Sequence, residues 1–439
     1  MADARSTVIK LLLKMESSGA YSNILLDQAL DGSGLSERDK AFAAALFYGV
    51  TERKMTLDHI ISQYCSAGIS KLKSEVLAIL RCGIYQIMYM RSVPDSAAVN
   101  ESVKLCKKMK QFGAAGLVNG ILRNFLRNDK KVDYSGMNPV ERLAMEYSAP
   151  AWIARKFLED YGEENAKKAL EASVGAPPVY ARVNTVKIKE SELVETLKKE
   201  GVSAEVYPRL PSCIRIEKTG DLEKLASFRA GLFHIQDVSS QLCCHTLRPI
   251  LNETVLDICA APGGKSFTLA ELMGNSGRVI AMDLYDQRMG LIEKGAERLG
   301  LSIVEPRVNN ALQFNEELPQ ADRVLCDVPC SGLGVIRRKP EIKYKDEKEF
   351  EEVPRLQKAI LDISARYVKV GGTLVYSTCT LSRAENDEVA QAFAETHPDF
   401  SPIVQPIPYA DAESSYKRTF FPEEDGGDGF FTASFRRVK

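Results

Sequence analysis

The stretch Thr254-Val-Leu-Asp-Ile-Cys-Ala-Ala-Pro-Gly-Gly-Lys-Ser266 constrains the fold more than any other part of the chain. Val255, Leu256 and Ile258 form an apolar run suited to a parallel strand covered on both faces, and Gly263-Gly264 permit a sharp turn with close approach of backbone to a ligand. Ser266 to Leu272 then supplies a helix whose free N–H groups face that ligand. A second strand, Arg278-Val-Ile-Ala-Met-Asp283, ends in a carboxylate suited to hydrogen-bond a ribose diol at the sheet's C-terminal edge. The spacing predicts a nucleoside site. Gly-x-Gly-x-x-Gly is missing here, which favours a nucleoside without a pyrophosphate over a nicotinamide dinucleotide, and S-adenosylmethionine is the commonest such ligand on this fold.

Strand and helix patterns keep alternating downstream: Gln287 to Leu299, Ile303-Val304 with the Arg307-Val308 region, Asp322 to Cys326, Val353 to Val370, and Gly372 to Tyr376. The alternation predicts a doubly wound parallel sheet, whose ligands sit beyond the strands' C-terminal ends. Two polar motifs fall there, Asp327-Val-Pro-Cys-Ser-Gly-Leu-Gly334 and Tyr376-Ser-Thr-Cys-Thr380. Two strand-end cysteines and a carboxylate beside a nucleoside cofactor suggest covalent chemistry on a pyrimidine, and the residues alone leave open which cysteine attacks. Between the motifs, Val335-Ile-Arg-Arg-Lys-Pro-Glu-Ile-Lys-Tyr-Lys345 reads as a loop against RNA phosphates with Tyr344 near a base, or as a solvated lid. Asp425 to Phe435 reads as a turn into an apolar strand that closes the sheet edge. Its acids lack the spacing of a calcium loop.

The first 130 residues carry helical periodicity instead, with Val8, Leu11 and Leu12, Phe42, Ala45 and Leu46, Val76, Ile79 and Leu80, and Val118, Ile121, Leu122 and Phe125 recurring at three and four. Breaks fall at Asp31-Gly-Ser-Gly34, Ala67-Gly68, Val93 to Ser96 and Phe112-Gly113. The net charge of -1 hides an asymmetry: residues 1–131 hold 19 Lys+Arg against 12 Asp+Glu, leaving 39 against 47 in the remainder. Lys104, Lys107, Lys108, Lys110, Arg123, Arg127, Lys130 and Lys131 concentrate that bias into one basic segment, as a phosphate-facing surface requires. The polar stretch from Asn128 to Pro139 reads as a linker out of the helical domain, and residues 145–245 mix helices with short strands such as Val179 to Val183 and Ile214 to Ile216. The expected division is a helical domain over 1–131, a linker over 132–144, a small α+β subdomain over 145–245 and a catalytic domain over 246–439. No run of about 18 apolar residues occurs, so no membrane span is expected and the cytoplasm is the default location. The 10 cysteines form no Cys-x-x-Cys pair and accompany only 4 histidines, so free thiols and no metal are expected; Cys65, Cys82 and Cys106 fall in core patterns. Trp152 reads as a packing anchor.

These motifs carry a resemblance. Arg38-Asp39, Leu80-Arg81-x-Gly-x-Tyr-Gln86, Ala97-Ala-Val-Asn-Glu101 and Gly116-Leu-Val-Asn-x-Ile-Leu-Arg123 resemble the NusB-type helical RNA-binding domain. Arg182-Val-Asn-Thr185 and Gln236-Asp-Val-Ser-Ser240 resemble the RRM-like subdomain that precedes RNA cytosine-C5 methyltransferase domains. With Cys259-Ala-Ala-Pro-Gly-Gly-Lys265 and both cysteine motifs, the whole layout resembles the RsmB/Sun/Fmu family of small-subunit ribosomal RNA cytosine-C5 methyltransferases, of the NOL1/NOP2/Sun type. The resemblance implies a multidomain protein with an all-α NusB-like domain, an RRM-like α+β subdomain and a Rossmann-like class I methyltransferase domain that uses S-adenosylmethionine.

It further implies that Cys259, Ala260, Ala261, Pro262, Gly263, Gly264 and Lys265 bind that cofactor, that Asp283 holds its ribose, and that Asn310 contacts the adenine where the family usually has an acid. Asp327 lies where cofactor and cytosine meet and hydrogen-bonds the N3/N4 edge, Cys379 is the nucleophile at C6, and Cys330 assists release of the adduct. Lys265 is a candidate for favouring the thiolate. Lys104, Lys107, Lys108, Arg123, Arg127, Arg337, Arg338 and Lys339 are expected RNA contacts. The implied partner is ribosomal RNA with a non-duplex cytidine, and a monomer is the default. Three alternatives stay open: another RNA such as tRNA as substrate, a DNA cytosine methyltransferase attacking through Cys330, and a non-catalytic RNA-binding assembly or antitermination factor.

Overall fold

The computed structural model describes residues 3–18, 22–30, 33–218, 222–404, 415–422 and 426–439. Asp31 and Gly32 of the first expected break, and Asp425 of the C-terminal turn, lie outside them. The chain divides into two compact units, one formed by Met1–Ala176 with Ile336–Lys345 and the other by Pro177–Val335 with Asp346–Lys439.

The helical periodicity becomes helices over Ala4–Ser18, Glu37–Glu52, Lys54–Tyr64, Ser74–Tyr89, Asp95–Lys108 and Ala115–Arg127. Their apolar faces, with Val8, Leu46, Phe47, Ile60, Ile79, Leu122 and Phe125, meet in one core. Ser36 caps the second of these helices by accepting from the Asp39 N–H at 3.2 Å. Gly49 is needed where two helices cross, because a Cβ there would stand 1.9 Å from the Tyr85 ring. Cys65, Cys82 and Cys106 lie in this core, and burial pushes the Cys82 thiol up to about 12.

The unit continues past Lys131 through the stretch read as a linker. Asn138 and Glu141 form a capping box that opens a helix over Pro139–Glu146, with proline at its first position. Leu143 and Ala144 bury its apolar side, and Thr56 Oγ1 donates to the Met145 carbonyl at 2.6 Å. The helical span Ala151–Ala172 follows in the same unit, and includes Trp152.

The second unit begins with a four-stranded antiparallel sheet of β1 (Val179–Val183), β2 (Ser203–Val206), β3 (Cys213–Lys218) and β4 (Phe233–Ile235), in the order β2-β3-β1-β4. The Arg182 and Asn184 of its signature join this layer to the catalytic sheet. Arg182, 1% exposed, donates to Glu271 at 3.0 Å and to the Pro211 carbonyl at 3.0 Å. Asn184 Nδ2 donates to the carbonyls of Gly231 at 2.9 Å and Leu299 at 2.8 Å.

The catalytic sheet comprises β5 (Thr254–Asp257), β6 (Arg278–Asp283), β7 (Val304–Val308), β8 (Ala321–Asp327), β9 (Val368–Thr378), β10 (Phe400–Pro402), β11 (Lys417–Phe420) and β12 (Phe430–Arg437). Its order is β10-β12-β9-β8-β5-β6-β7, with β11 on β12. The run β9-β8-β5-β6-β7 is parallel, as the alternation predicts, but β12 pairs antiparallel with β9 and lies inside the sheet. The expectation that this strand closes the sheet edge is therefore corrected: Phe430 to Phe435 is buried residue by residue, which a strand achieves only with neighbours on both sides and layers on both faces, and β10 and β11 lie beyond it. Two boundaries move as well. The helix expected over Val353 to Val370 ends at Ala365, and Val368 already pairs with Ala321 in the strand. Gly371, at φ 84, carries that strand through an irregularity that the pattern reads as its start. The helix after the glycine turn starts at Gly264, two residues before Ser266, because Gly263 at φ 107 sits just outside it.

Candidate functional site

All the strand ends that carry the motifs belong to β5, β6, β8 and β9, so parallel pairing brings them to one edge of the sheet. At the end of β5, Ala260 N–H donates to the Met282 carbonyl at 2.6 Å and Gly263 N–H to the Ala260 carbonyl at 2.8 Å, which closes the turn. A side chain at Gly263 would meet the Phe267 ring at 2.6 Å, whereas a Cβ on Gly264 would meet only Gln236 Nε2, at 3.7 Å. Asp283 is buried at the end of β6, where it pairs with Arg288 at 2.9 Å and accepts from the Ala261 N–H at 3.3 Å. Asn310 turns its Oδ1 back onto the Leu312 N–H at 3.0 Å, while the neighbouring Asn309 is buried with Nδ2 unpaired.

Asp257, absent from the expected site, lies at its base. It is fully buried; Oδ2 accepts from Ser266 Oγ at 2.6 Å and Oδ1 has no partner. Burial pushes its carboxyl up to about 7. A dry carboxyl oxygen and a second strand-end acid, which accept, beside a helix N-terminus, which donates and favours an anion, fit a nucleoside that carries both hydroxyl or cationic groups and a carboxylate, such as S-adenosylmethionine, with Gly263 to Lys265, Asp257 and Asp283 as the residues that would hold it.

Lys265 Nζ pairs with Asp327 Oδ2 at 2.7 Å and stands 5.3 Å over the Phe430 ring. Burial opposes its charge most strongly, yet the Asp327 carboxylate together with the Cys243 and Cys244 sulfurs holds the ammonium above the usual lysine range. Its charge is thus committed to Asp327. The other oxygen of Asp327 accepts from Ser377 Oγ at 2.8 Å, so the carboxylate is clamped on both sides. Cys330 Sγ and Cys379 Sγ stand 3.0 Å apart, and both thiols are half-buried. The contact with Cys379, and then burial, hold the Cys330 thiol well above its usual range. Backbone bonds fix the pair, with Gly334 N–H donating to the Cys379 carbonyl at 3.1 Å and Gly429 N–H to the Gly334 carbonyl at 2.9 Å.

The expected RNA contacts fall elsewhere. Lys104, Lys107, Lys108, Arg123 and Arg127 are exposed on the helices Asp95–Lys108 and Ala115–Arg127 of the helical unit. Lys104 pairs with Glu101 at 2.7 Å, Lys108 with Asp3 at 3.4 Å, and Arg123 with the Asn119 side chain at 2.9 Å. Arg337, Arg338 and Lys339 belong to the segment that packs in that same unit, the first two half-buried and Lys339 exposed. The reading of this segment as a loop against RNA phosphates or a solvated lid is corrected at Lys343, whereas Tyr344 keeps an exposed ring. Tyr344 donates its hydroxyl to the Thr51 carbonyl, and Lys343 is buried with Nζ on the Tyr147 carbonyl at 3.2 Å. Pro340 and Ile342 carry the segment into the apolar interior, and Lys343 follows because its neighbours on both sides are anchored. Burial lowers its ammonium to about 7, against the pull of the Glu52 carboxylate.

Comparison with known proteins identifies the same architecture. The family model described as 16S rRNA methyltransferase RsmB/F matches residues 244–436, the NusB family matches 2–127, and the RsmF/B-like ferredoxin-like domain matches 149–223. The fold and site therefore define a three-part methyltransferase: a NusB domain, a ferredoxin-like subdomain and a Rossmann-like catalytic domain. A relative named probable ribosomal RNA small subunit methyltransferase B in Bacillus subtilis is 38% identical, over 99% of this chain and 98% of its own. A relative of the same name in Synechocystis is 33% identical over 100% of both. The solved structure of PH0851 superposes with a TM-score of 0.80 at 25% identity, covering 100% of this chain and 99% of its own. The chain belongs to the ribosomal RNA small subunit methyltransferase B family. Among the described residues, no helix is long and apolar enough to cross a membrane.

Proposed function

We propose that this protein methylates C5 of a cytidine in small-subunit (16S) ribosomal RNA with S-adenosylmethionine, through a covalent bond between Cys379 and C6 of the base. The observation that carries the reading is the meeting of two cysteine sulfurs, 3.0 Å apart, with the Lys265–Asp327 pair at one sheet edge. C5 of cytosine is too weak a nucleophile to take a methyl group until a thiolate adds at C6 and makes C5 enamine-like. Bound S-adenosylmethionine supplies the electrophilic methyl group. Cys379 forms the S–C6 bond while N3 takes a proton from solvent, and Asp327 accepts from the N4 amino group and from the N3–H so formed, with Lys265 and Ser377 fixing both its oxygens. After transfer N3 gives up its proton, a solvent water takes the C5 proton, and the C5–H electron pair forms the C5–C6 double bond as the S–C6 bond breaks and the thiolate of Cys379 returns; Cys330 assists this release. The base must leave any stack for Cys379 to reach C6, so the target is a non-duplex cytidine. The exposed basic helices of the NusB domain, with Lys339, suit the surrounding phosphates. The family relatives, named for ribosomal RNA of the small subunit, support that substrate over tRNA.

The test is methyl transfer from labelled S-adenosylmethionine to unmodified small-subunit ribosomal RNA, with trapping of protein–RNA adducts. C5 methylation by the wild type is expected, with Cys379→Ala inactive and adduct-free and Cys330→Ala accumulating adduct. Adduct formation by Cys379→Ala refutes the nucleophile. No transfer to any RNA favours a binding factor instead.

A further inference from the structure

One buried carboxylate outside every motif holds the two cysteine loops together. Glu385 is 2% exposed, just before the helix Asp387–Thr396. Its Oε2 accepts from the Ser331 N–H at 2.9 Å and from Gln357 Nε2 at 3.0 Å, and its Oε1 accepts from Ser331 Oγ at 2.5 Å. Ser331 Oγ lies 2.7 Å from Thr380 Oγ1, and Gln357 Nε2 also donates to the Pro329 carbonyl at 3.0 Å. Pro329 and Ser331 bracket Cys330, and Thr380 follows Cys379. The next residue completes the brace: Asn386 Oδ1 accepts from Thr378 Oγ1 at 2.5 Å and its Nδ2 donates to the Thr380 carbonyl at 2.9 Å. Tyr376 O–H donates to the Glu385 carbonyl at 2.6 Å.

Two N–H donors, which can only donate, and the Ser331 hydroxyl converge on the Glu385 carboxyl group. A glutamine there can still accept both N–H bonds on its oxygen and turn its NH2 onto the Ser331 hydroxyl, so it removes the charge and keeps the brace. A charge this deep is costly to seat, and here it does more than close a turn. When two thiols 3.0 Å apart lose one proton, the two sulfurs compete for the one that remains, so the groups around them decide which sulfur keeps it. The groups that face Cys330 are Cys379, Glu385 and the Tyr376 phenol, with the Gly332 backbone favouring a negative sulfur and the Glu385 charge opposing one.

We propose that Glu385 is a positioning residue that locks the Cys330 loop to the Cys379 turn and keeps the shared proton on Cys330, leaving the negative charge of the pair on Cys379. The assignment rests on the reading of Cys379 as nucleophile and explains why, of two touching cysteines, that one attacks. Cys330 then stays a thiol until the adduct is resolved.

The experiment uses the full chain without RNA or cofactor and measures iodoacetamide alkylation of Cys330 and Cys379 by peptide mass spectrometry from pH 6 to pH 10. In the wild type at pH 7, Cys379 should react at least about tenfold faster than Cys330, the ratio that one pKa unit sets. Glu385→Gln should raise the Cys330 rate several-fold and shrink that ratio. Glu385→Asp, which keeps the charge, should restore most of it. A wild-type ratio near one or reversed overturns the proposal without any variant, and so does an unchanged ratio in folded Glu385→Gln. Single-turnover methyl transfer to small-subunit ribosomal RNA, run alongside, separates the two readings: wild-type transfer of nothing with the alkylation pattern intact sinks the RNA substrate and leaves the sulfur assignment standing.

Discussion

Asp257→Asn probes the buried acid beneath the cofactor turn. In the folded chain burial holds this carboxyl protonated up to about 7, whereas an unfolded aspartate ionises near the ordinary value of 3.8. Across that window the native state binds more protons than the unfolded state. The stabilisation is therefore fully present below the unfolded value, falls as pH rises, and is gone above the folded value. At about 1.4 kcal/mol per unit, the loss is on the order of 4 kcal/mol. Asparagine carries no charge at any pH and keeps an acceptor for Ser266 Oγ, so the variant lacks this slope. The stability of Asp257→Asn minus that of wild type should grow by on the order of 4 kcal/mol between pH 4 and pH 7.5, then level off. The sole tryptophan, Trp152, lies in the other unit, so native-state hydrogen exchange of peptides over β5 and β6 is the suitable readout. Titration calorimetry adds a second arm: wild type should gain affinity for S-adenosylmethionine as pH rises through about 7, and the variant should not. A stability difference that stays flat across the range would falsify the account of Asp257 as a dry, ligand-directed acid.

Lys343→Met tests the buried amine of the helical unit. Its native value of about 7 lies below the 10.5 of an ordinary lysine, so the unfolded state binds more protons in between and wild-type stability should climb with pH across that range, by on the order of 1 kcal/mol per unit. Trp152 fluorescence in urea reads this unit directly; parallel wild-type and Lys343→Met curves from pH 7 to pH 9.5 refute the burial argument. Gly334→Ala would place a Cβ 2.0 Å from the Gly429 carbonyl oxygen, a backbone clash that side chains cannot absorb. It should cost about 3 kcal/mol or more and displace the Cys330 loop. Wild-type melting together with wild-type adduct yield in this variant shows that the close approach does not hold the loop.

The sequence by itself determined the parts of this protein that depend on local chemistry. A strand, a glycine turn and a helix need particular residues in immediate succession, so Thr254 to Leu272 was legible, as were the helical periodicity at the front, the basic segment and the two cysteines at strand ends. Parallel pairing of β5, β8 and β9 follows from alternation, and it brings Lys265, Asp327, Cys330 and Cys379 to one edge. Tertiary structure alone decided what each of these groups faces. Asp257 stood in plain view beside the turn, but nothing local says that one of its oxygens stays unpaired. Ser377 lies inside a recognised motif, yet its bond to Asp327 spans 50 residues. Glu385 and Gln357 carry no motif, because their partners at Ser331 lie 54 residues away in one case and their shared bond spans 28 in the other. The basic run around Lys343 read as facing RNA phosphates or solvent because charge is normally cheap only in water or beside opposite charge; the anchors on either side of it, and not its own chemistry, carry it inside. β12 read as an edge because local pattern records which faces of a strand are apolar, while the strands on either side of it are a property of the folded sheet.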